Sequence, residues 1–574
     1  MKPQEFFDLY TPQGESIPQI PWQRYPRPQM RRDTWFNLNG LWEFSATTAE
    51  DIPDCFPEQI RLPFPPQSLL SGIHRNIPEE QFLFYKKTFS LPPEFRSGRV
   101  LLHVGAADQI ARVWLNDVYL GEHCGGYDSF TFDVTHALQE ENTLVIRVSD
   151  QMSREVLPSG KQRAKRGGMW YTPVSGIWQT VWMERVPDRY IRSIHIHTEE
   201  NRATITLEGN LPDGTVCVQT PEGSLQVPLN RNSAQIELDS PRLWSPEDPY
   251  LYECTIHAGE DRVETYFALR TLSIETVHGI PRLCLNGRPY FFHGLLDQGY
   301  WSDGLFTPAD PSCYETDILA MKSLGFNTLR KHIKVEPEQF YYDCDRLGMV
   351  VFQDMVNNGG YNFLRDTVLP TIGLKRRNDR HMHRSKESRA AFLQAMETTV
   401  RQLENHPCIC YWTIFNEGWG QFESTRAYRR LKELDSSRFI ATVSGWFKGG
   451  ESDVTAEHVY FKPFRPIRSE KPLVLSEFGG YAYLPEGHAF HPGKEYGYRH
   501  YKTREEFARG VQELYQKEIL PAVKDGLCAA VYTQLSDVED ETNGLFSYDR
   551  TVLKLTPEEM RPMSLRLYEE IKHT

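Results

Sequence analysis

The chain has 574 residues, with 77 Asp and Glu against 64 Lys and Arg for a formal charge of −13, and is 40% hydrophobic and 25% charged. Its length corresponds to roughly three to five domains, and its composition is that of a globular chain, not a disordered one. The acidic balance argues against a nucleic-acid binder, and no apolar run approaches the ~18 residues of a membrane-spanning helix. The opening MKPQEFFDLYTPQGES lacks the apolar centre of a secretory signal, so a cytoplasmic protein is expected. Ten cysteines are too sparse for a disulfide scaffold, and the Cys408-x-Cys410 pair has no nearby ligand partner, so reduced, buried thiols are expected.

From Trp35 to Val186 short runs alternate apolar and polar residues, among them FLFYKKTFSL, RVLLHVGAA and NTLVIRVSD. Turn signals between them predict an all-β sandwich, with a hairpin turning at Asn116-Asp117. A second β-rich block, from about Pro187 to Ile274, fits a small immunoglobulin-like sandwich. After Glu275 strand-like and helical runs alternate. The strands are YFFHGLLD, NTLRKH, MVVFQDM, ICYWTIFN, RFIATVSGW, DVTAEHVYF, PLVLSEFGG and AAVYTQLSD. Helices are expected near Tyr314–Leu324, Pro337–Leu347, Ser388–Asn405, Thr425–Leu434 and Arg504–Val523. In the third, Phe392, Leu393, Met396, Val400 and Leu403 recur at helical spacing. Almost continuously apolar strands are those of a parallel sheet covered on both faces, and eight of them predict a (β/α)8 TIM barrel. The basic stretch Arg365–Arg384 has no clear periodicity and reads as a functional loop. The resulting fold class is multidomain, β plus α/β, divided at 1–186, 187–274 and 275–574.

A barrel carries its chemistry at the C-terminal ends of its strands. That rule selects Glu417, after the fourth strand in Phe415-Asn416-Glu417-Gly418, and Glu477, in the seventh strand's Ser476-Glu477-Phe478. One glutamate at a strand end is usually a solvated loop residue. Two on strands facing each other across the mouth match the requirement of retaining glycoside hydrolysis, in which carboxyls about 5–5.5 Å apart serve as nucleophile and as acid then base. The Asn416 amide beside the acid suits a hydrogen bond to a sugar 2-hydroxyl.

FNEGWG and LSEFGG, behind two β-rich blocks, resemble glycoside hydrolase family 2, which contains β-galactosidases, β-glucuronidases and β-mannosidases. The resemblance runs along almost the whole chain, through WFNLNGLWEFS, LNDVYLGEHCGGYDSFTFDV, SGIWQTVWME, LWSPEDPYLY, LNGRPYFFHGLL and DVEDETNGLFSYD. It implies a jelly-roll sugar-binding domain, an immunoglobulin-like domain and a catalytic barrel. Glu417 would be the acid/base, protonated before the first step, and Glu477 the nucleophile. Tyr460 would hydrogen-bond that nucleophile. Arg330 and His332 resemble the family's arginine and substrate-binding histidine, although they stand closer together than is usual there. Asp354, in FQDM, is a candidate hydroxyl ligand. The family's pocket aspartate is replaced here by Trp170, which offers a stacking face in place of an anionic acceptor. The Asn-x-Lys pair of glucuronidases is not evident, since neither Lys448 nor Lys462 sits in that pattern, and Tyr532-Thr533-Gln534 stands where relatives often show Trp.

These features predict a retaining exo-β-glycosidase of β-galactosidase-like type, with a glucuronidase or arabinosidase-like enzyme as alternatives. From another class, a non-catalytic carbohydrate-binding protein is the alternative, though binding alone has no need of two opposed glutamates. The expected partner is a glycoside or oligosaccharide, without nucleic acid or membrane, and the resemblance implies a homo-oligomer. No cofactor or metal is expected, and the acidic run Asp537, Glu539, Asp540 and Glu541 reads as a surface run. Phosphate or dinucleotide chemistry has no support, because no Gly-rich fingerprint links a strand to a helix.

Overall fold

The computed structural model describes residues 8–573 apart from 372, 375–377, 384 and 492, so the Arg365–Arg384 stretch lies partly outside the described residues. Within that stretch, Leu364–Val368 and Leu369–Thr371 form helical turns and Asp379–His381 a short 3-10 turn.

The N-terminal β-rich block forms a four-stranded and a six-stranded antiparallel sheet. Trp42, Phe44, Ile60, Tyr85, Leu102, Ile146 and Met183 form part of the apolar core between them. Alternation decides which side chains enter it. The strand Ile110–Leu115 buries Ala111, Val113 and Leu115 and pairs with Val118–Cys124 through the expected hairpin. Asn116 and Asp117 turn it at φ 50° and 63°, the left-handed pair that a two-residue hairpin requires and that short polar side chains tolerate. The second block forms a three-stranded and a four-stranded sheet around Ile205, Val216, Ile236, Ile256 and Phe267. Its last ladder strand ends at Phe267. Leu272–Val277, which contains Ile274, pairs instead with Ile280–Leu285. Arg282 of that hairpin is buried and donates to the carbonyls of Val523 and Leu527 at 2.9 and 3.4 Å, closing the base of the barrel.

All eight barrel strands occur where the apolar runs put them: β1 Phe292–Asp297, β2 Thr328–Lys331, β3 Val350–Asp354, β4 Ile409–Asn416, β5 Phe439–Ser444, β6 Thr455–Val459, β7 Leu473–Gly479 and β8 Leu527–Thr533. Every pairing is parallel, in the order β5-β4-β3-β2-β1-β8-β7-β6. Among the described residues the seam between β5 and β6 has no strand ladder. It is bridged by Asp453, whose N–H donates to the Ile440 carbonyl at 3.0 Å and whose carboxylate accepts from the Ile440 N–H at 2.9 Å. The four helices α1 Ser312–Ser323, α2 Glu338–Leu347, α3 Lys386–Leu403 and α4 Ser424–Leu434 lie within two residues of expectation. Along α3, Phe392, Met396, Val400 and Leu403 are buried, with Phe392 stacked on Phe415 of β4. The expected Arg504–Val523 helix is instead α5 Arg504–Leu514, a wide π turn Tyr515–Ile519 and the short helix Leu520–Lys524. Pro521 is the physical reason, since it has no N–H for the preceding turn and its ring would clash with that turn's carbonyl.

The loop 159–172 of the N-terminal sandwich lies against the barrel mouth. Ser159 and Gly160 donate their N–H groups to the Asn357 carbonyl at 3.1 and 3.2 Å, and Thr172 N–H donates to Glu539 at 2.9 Å. Arg166 pairs with Glu539 and Asp540 at 3.4 and 3.5 Å, and the Tyr171 hydroxyl donates to Glu541. The surface reading of the acidic run is therefore corrected: Asp537, Glu539, Asp540 and Glu541 are all buried, with Asp537 held by Lys554 at 2.6 Å. Charged groups on the sandwich loop and the C-terminal segment make that burial tolerable. All ten cysteines are free, but Cys55 and Cys124 are exposed, contrary to the expectation of burial.

Candidate active site

Glu477 lies within β7 and Glu417 directly follows β4. Glu417 has φ 54°, and its N–H donates to the Ser444 carbonyl at 2.9 Å, which turns the chain sharply as the strand ends. Gly418 continues the turn at φ 76°, where a Cβ would stand 2.2 Å from the Phe447 ring. A carboxylate oxygen of Glu417, a ring nitrogen of His458 and a carboxylate oxygen of Glu477 lie within 4.8 Å of one another. The two glutamates therefore face a common space.

Arg330, at the end of β2 and buried, organises that space. It donates to Asp354 at 3.0 Å, to Glu477 Oε1 and to Asn416 Oδ1 at 2.9 Å each, and to the Ser476 carbonyl at 3.0 Å. A planar guanidinium is suited to holding several acceptors in fixed directions. Because Arg330 occupies Asn416 Oδ1, the Asn416 NH2 is left to donate. Glu477 Oε2 accepts from the Tyr460 hydroxyl, which also lies 2.9 Å from Thr533 Oγ1 at the end of β8. Tyr498 stacks on Tyr460 with ring centroids 3.9 Å apart.

Burial works to raise the Glu477 pKa, but His458, Arg330, His332 and Lys161 outweigh it and hold the carboxyl down at about 2. Glu477 is thus an anion across the physiological range. Burial pushes His332 down to about 4, against the pull of Asp354. Its Nδ1 lies 2.7 Å from Asp354, so the neutral ring donates there and keeps Nε2 as an acceptor. Burial would raise Asp354, yet Arg330 and His332 keep its carboxyl below the usual range.

Glu417, Glu477, Asn416, Arg330, His332, Asp354 and Tyr460 form one connected group. Trp170 stands apart from it. Its ring packs edge-on against Tyr361 and Trp419, with centroids 4.9 and 5.1 Å away, and Arg163 lies over it at 4.5 Å. Trp419 follows Glu417 by two residues, so Trp170 is part of an aromatic wall beside the acid's loop. Lys448 is paired with Glu457 and Lys462 is exposed. Gln534 is buried between Gln298 and Asn543, and Thr533 is the β8 residue that meets Tyr460.

Sequence reasoning missed His458, Ser444 and Ser476, and also Lys161, whose charge acts on Glu477, His332 and Glu541. His458, in β6, sits two residues before Tyr460, which directly follows that strand, and in an extended run this i, i+2 spacing puts two side chains on one side, which was the available signal. Nothing in the sequence marked Lys161, which reaches the barrel from another part of the chain.

A parallel barrel with paired glutamates at its mouth, behind two β-sandwich layers, defines the architecture of a multidomain glycosidase-type protein. The sequence matches the family models "Glycosyl hydrolase 2 galactose-binding domain-like" over residues 73–197, "Glycosyl hydrolases family 2" over 191–270 and "Glycosyl hydrolases family 2, TIM barrel domain" over 278–504. The chain belongs to glycosyl hydrolase family 2. A β-galactosidase of Thermoanaerobacter pseudethanolicus is 24% identical over 398 residues, 64% of this chain and 49% of that protein. A β-glucuronidase of Bacteroides fragilis is 24% identical over 452 residues, 73% of this chain and 61% of that protein, and the human β-glucuronidase is 25% identical over 478 residues, 73% and 70%. The matched region thus spans about half of the first of these relatives. Among solved structures, a β-D-glucuronidase of Dictyoglomus thermophilum superposes with a TM-score of 0.72 at 18% identity, covering 95% of this chain and 98% of that one. A β-galacturonidase of Eisenbergiella tayi superposes with a TM-score of 0.67, also at 18% identity and with the same coverage. At this identity the structures establish the fold.

Proposed function

We propose that the protein is a retaining exo-β-glycosidase that removes terminal sugars by double displacement, with Glu477 as nucleophile and Glu417 as acid/base. The observation that carries the proposal is the approach of the two carboxylates to within 4.8 Å. That fits the close pair of a retaining mechanism, because an inverting pair stands about 6.5–9.5 Å apart to admit a water. We also propose a three-part domain plan, 1–186, 187–274 and 275–574, with the second boundary moved back before the strand Leu272–Val277, which pairs with the hairpin at the base of the barrel and not with the second sandwich.

The chemistry follows from the surroundings of each group. Ionised Glu477 attacks the anomeric carbon while Glu417 gives its proton to the departing oxygen. Tyr460 and Arg330 hold the two Glu477 oxygens, which fixes the line of attack. The Asn416 NH2, left unoccupied by Arg330, suits the 2-hydroxyl, where a hydrogen bond strengthens as the transition state forms. The His332 Nε2 acceptor suits another sugar hydroxyl. Glycosylation removes the charge of Glu477, after which Glu417 takes a proton from the water that releases the sugar.

Motif resemblance alone favours a galactoside. A second reading, a hexuronide, is favoured by Lys161, whose ammonium acts on Glu477 and His332 and would offset the charge of a sugar carboxylate. Proton NMR of the first-formed product from a p-nitrophenyl β-glycoside tests the mechanism: the β-anomer is expected, and the α-anomer would refute it. A panel of p-nitrophenyl β-galactoside, β-glucuronide and β-galacturonide decides between the sugars. Turnover of the uronides alone excludes the galactoside, and turnover of the galactoside alone excludes the uronides.

A further inference from the structure

His458, on β6, stands between the two glutamates. Its Nδ1 is 2.9 Å from Glu417 Oε1, and its Nε2 is 2.8 Å from Ser444 Oγ and 3.4 Å from Glu477 Oε1. The side chain is fully buried, packed edge-on against Trp446. Gly445, at φ 91°, leaves it room, because a Cβ there would come within 2.9 Å of Nδ1.

The hydroxyls beyond the ring determine where its protons are. Ser476 Oγ donates to the Glu457 carbonyl at 3.0 Å, and Ser444 Oγ donates to Ser476 Oγ at 2.9 Å. Each hydroxyl has one proton, so Ser444 has none left for His458 and must accept from Nε2. The Glu477 carboxylate facing the same nitrogen can likewise only accept. Nε2 therefore carries a proton. The contact between Nδ1 and Glu417 Oε1 then needs one more, and it holds one whether the pair is written as carboxylic acid with neutral imidazole or as carboxylate with imidazolium.

The geometry points to His458 as a positioning residue that shares and holds the catalytic proton of Glu417. This inference rests on the glycosidase reading above. Across the cycle the atoms balance. As Glu477 forms its bond to the anomeric carbon, the electron pair of the glycosidic bond leaves with the aglycone oxygen, which takes the shared proton. Glu417 remains as carboxylate beside a neutral imidazole that keeps its Nε2 proton. In the second half the oxygen of water bonds to the anomeric carbon, the electron pair of the glycosyl bond returns to Glu477, and the proton of water restores the Glu417–His458 pair. Among the described residues, the charged or titratable groups around the ring include Glu417 and Glu477, through Glu477 also Arg330, Tyr460, His332 and Lys161, and through Glu417 also Tyr496 and Tyr498.

The test compares leaving groups. A phenyl glycoside needs acid assistance, whereas a 2,4-dinitrophenyl glycoside departs without it. H458Q is expected to slow kcat/KM for the phenyl glycoside by roughly tenfold or more while changing the 2,4-dinitrophenyl glycoside by less than about threefold. Its alkaline limb should move to lower pH, because the shared site for the proton is lost. S444A, which removes the acceptor that fixes the Nε2 proton, should show the same selectivity to a smaller degree and serves if H458Q does not fold. Equal losses on both substrates, or an unmoved alkaline limb, would overturn the inference. E477A separates the two readings: full activity in that variant sinks the glycosidase reading itself, whereas a leaving-group-independent H458Q sinks only the role of His458.

Discussion

Arg330 is the most consequential single side chain at the site. Replacing it with Gln removes one ion pair to Glu477 and one to Asp354, both at 2.9 Å between buried groups. Burial then opposes ionisation of Glu477 with less compensation, although His458, His332 and Lys161 remain. Loss of one adjacent opposite charge raises a carboxyl by roughly 1–3 units, or about 1.4–4 kcal/mol at 1.36 kcal/mol per unit. With a wild-type value of about 2, the wild-type profile has no acid limb from Glu477 anywhere near neutrality. R330Q should bring that limb up toward pH 3–5, read as kcat/KM against pH on an activated aryl glycoside (about 1–3 units above the starting value). The same depressed carboxyl gives a stability contribution that is present above the unfolded value and lost as pH falls through about 2. R330Q narrows the gap between the folded and unfolded values of this carboxyl, so the contribution should be smaller and the variant's thermal stability should fall less than the wild type's as pH drops through the carboxylate range. A folded R330Q whose acid limb stays in place would refute the assignment of Arg330 as the charge that keeps Glu477 ionised.

Further predictions come from the other contacts. Y460F removes the hydroxyl that donates to Glu477 and meets Thr533. At about 1.5–3 kcal/mol for a hydrogen bond to a charged group, it should lower kcat by roughly 10- to 150-fold, and an unchanged kcat would remove Tyr460 from the site. K161A should raise KM for a uronide substrate and leave a neutral galactoside almost unaffected; equal effects on both would eliminate the carboxylate-reading role of Lys161. R166A leaves Glu539 and Asp540 without the arginine that pairs with them. Breaking a buried pair typically costs about 3–5 kcal/mol, so thermal unfolding should shift downward, and an unshifted transition would show that the clasp between sandwich loop and barrel does not depend on this pairing.

The barrel was legible because its strands are buried on both faces and therefore read as unbroken apolar runs; β4 buries all eight of its residues. Glu417 and Glu477 were legible because polar residues at the ends of such strands are few. Arg330 and Tyr460 came from family resemblance and Asp354 from its place at the end of the third strand, and the structure joins all three to Glu477 in one hydrogen-bond network. What escaped the sequence depends on contacts between distant segments. The acidic run looked solvated because Arg166 and Lys554, which neutralise it, lie far from it in the chain or on its other side. His458 looked like an ordinary strand residue until Glu417, Glu477 and Ser444 came to surround it. The π turn before Pro521 was hidden because helical periodicity continues through it.

The central claim is that Glu477 becomes covalently attached to the sugar. The direct measurement is mass analysis of the protein after reaction with a 2-deoxy-2-fluoro β-glycoside carrying a good leaving group, followed by peptide mapping. One added fluorosugar per chain is expected, on Glu477 alone, slowly released in water. Attachment to a different residue, or continued turnover of the reagent without any adduct, would contradict it.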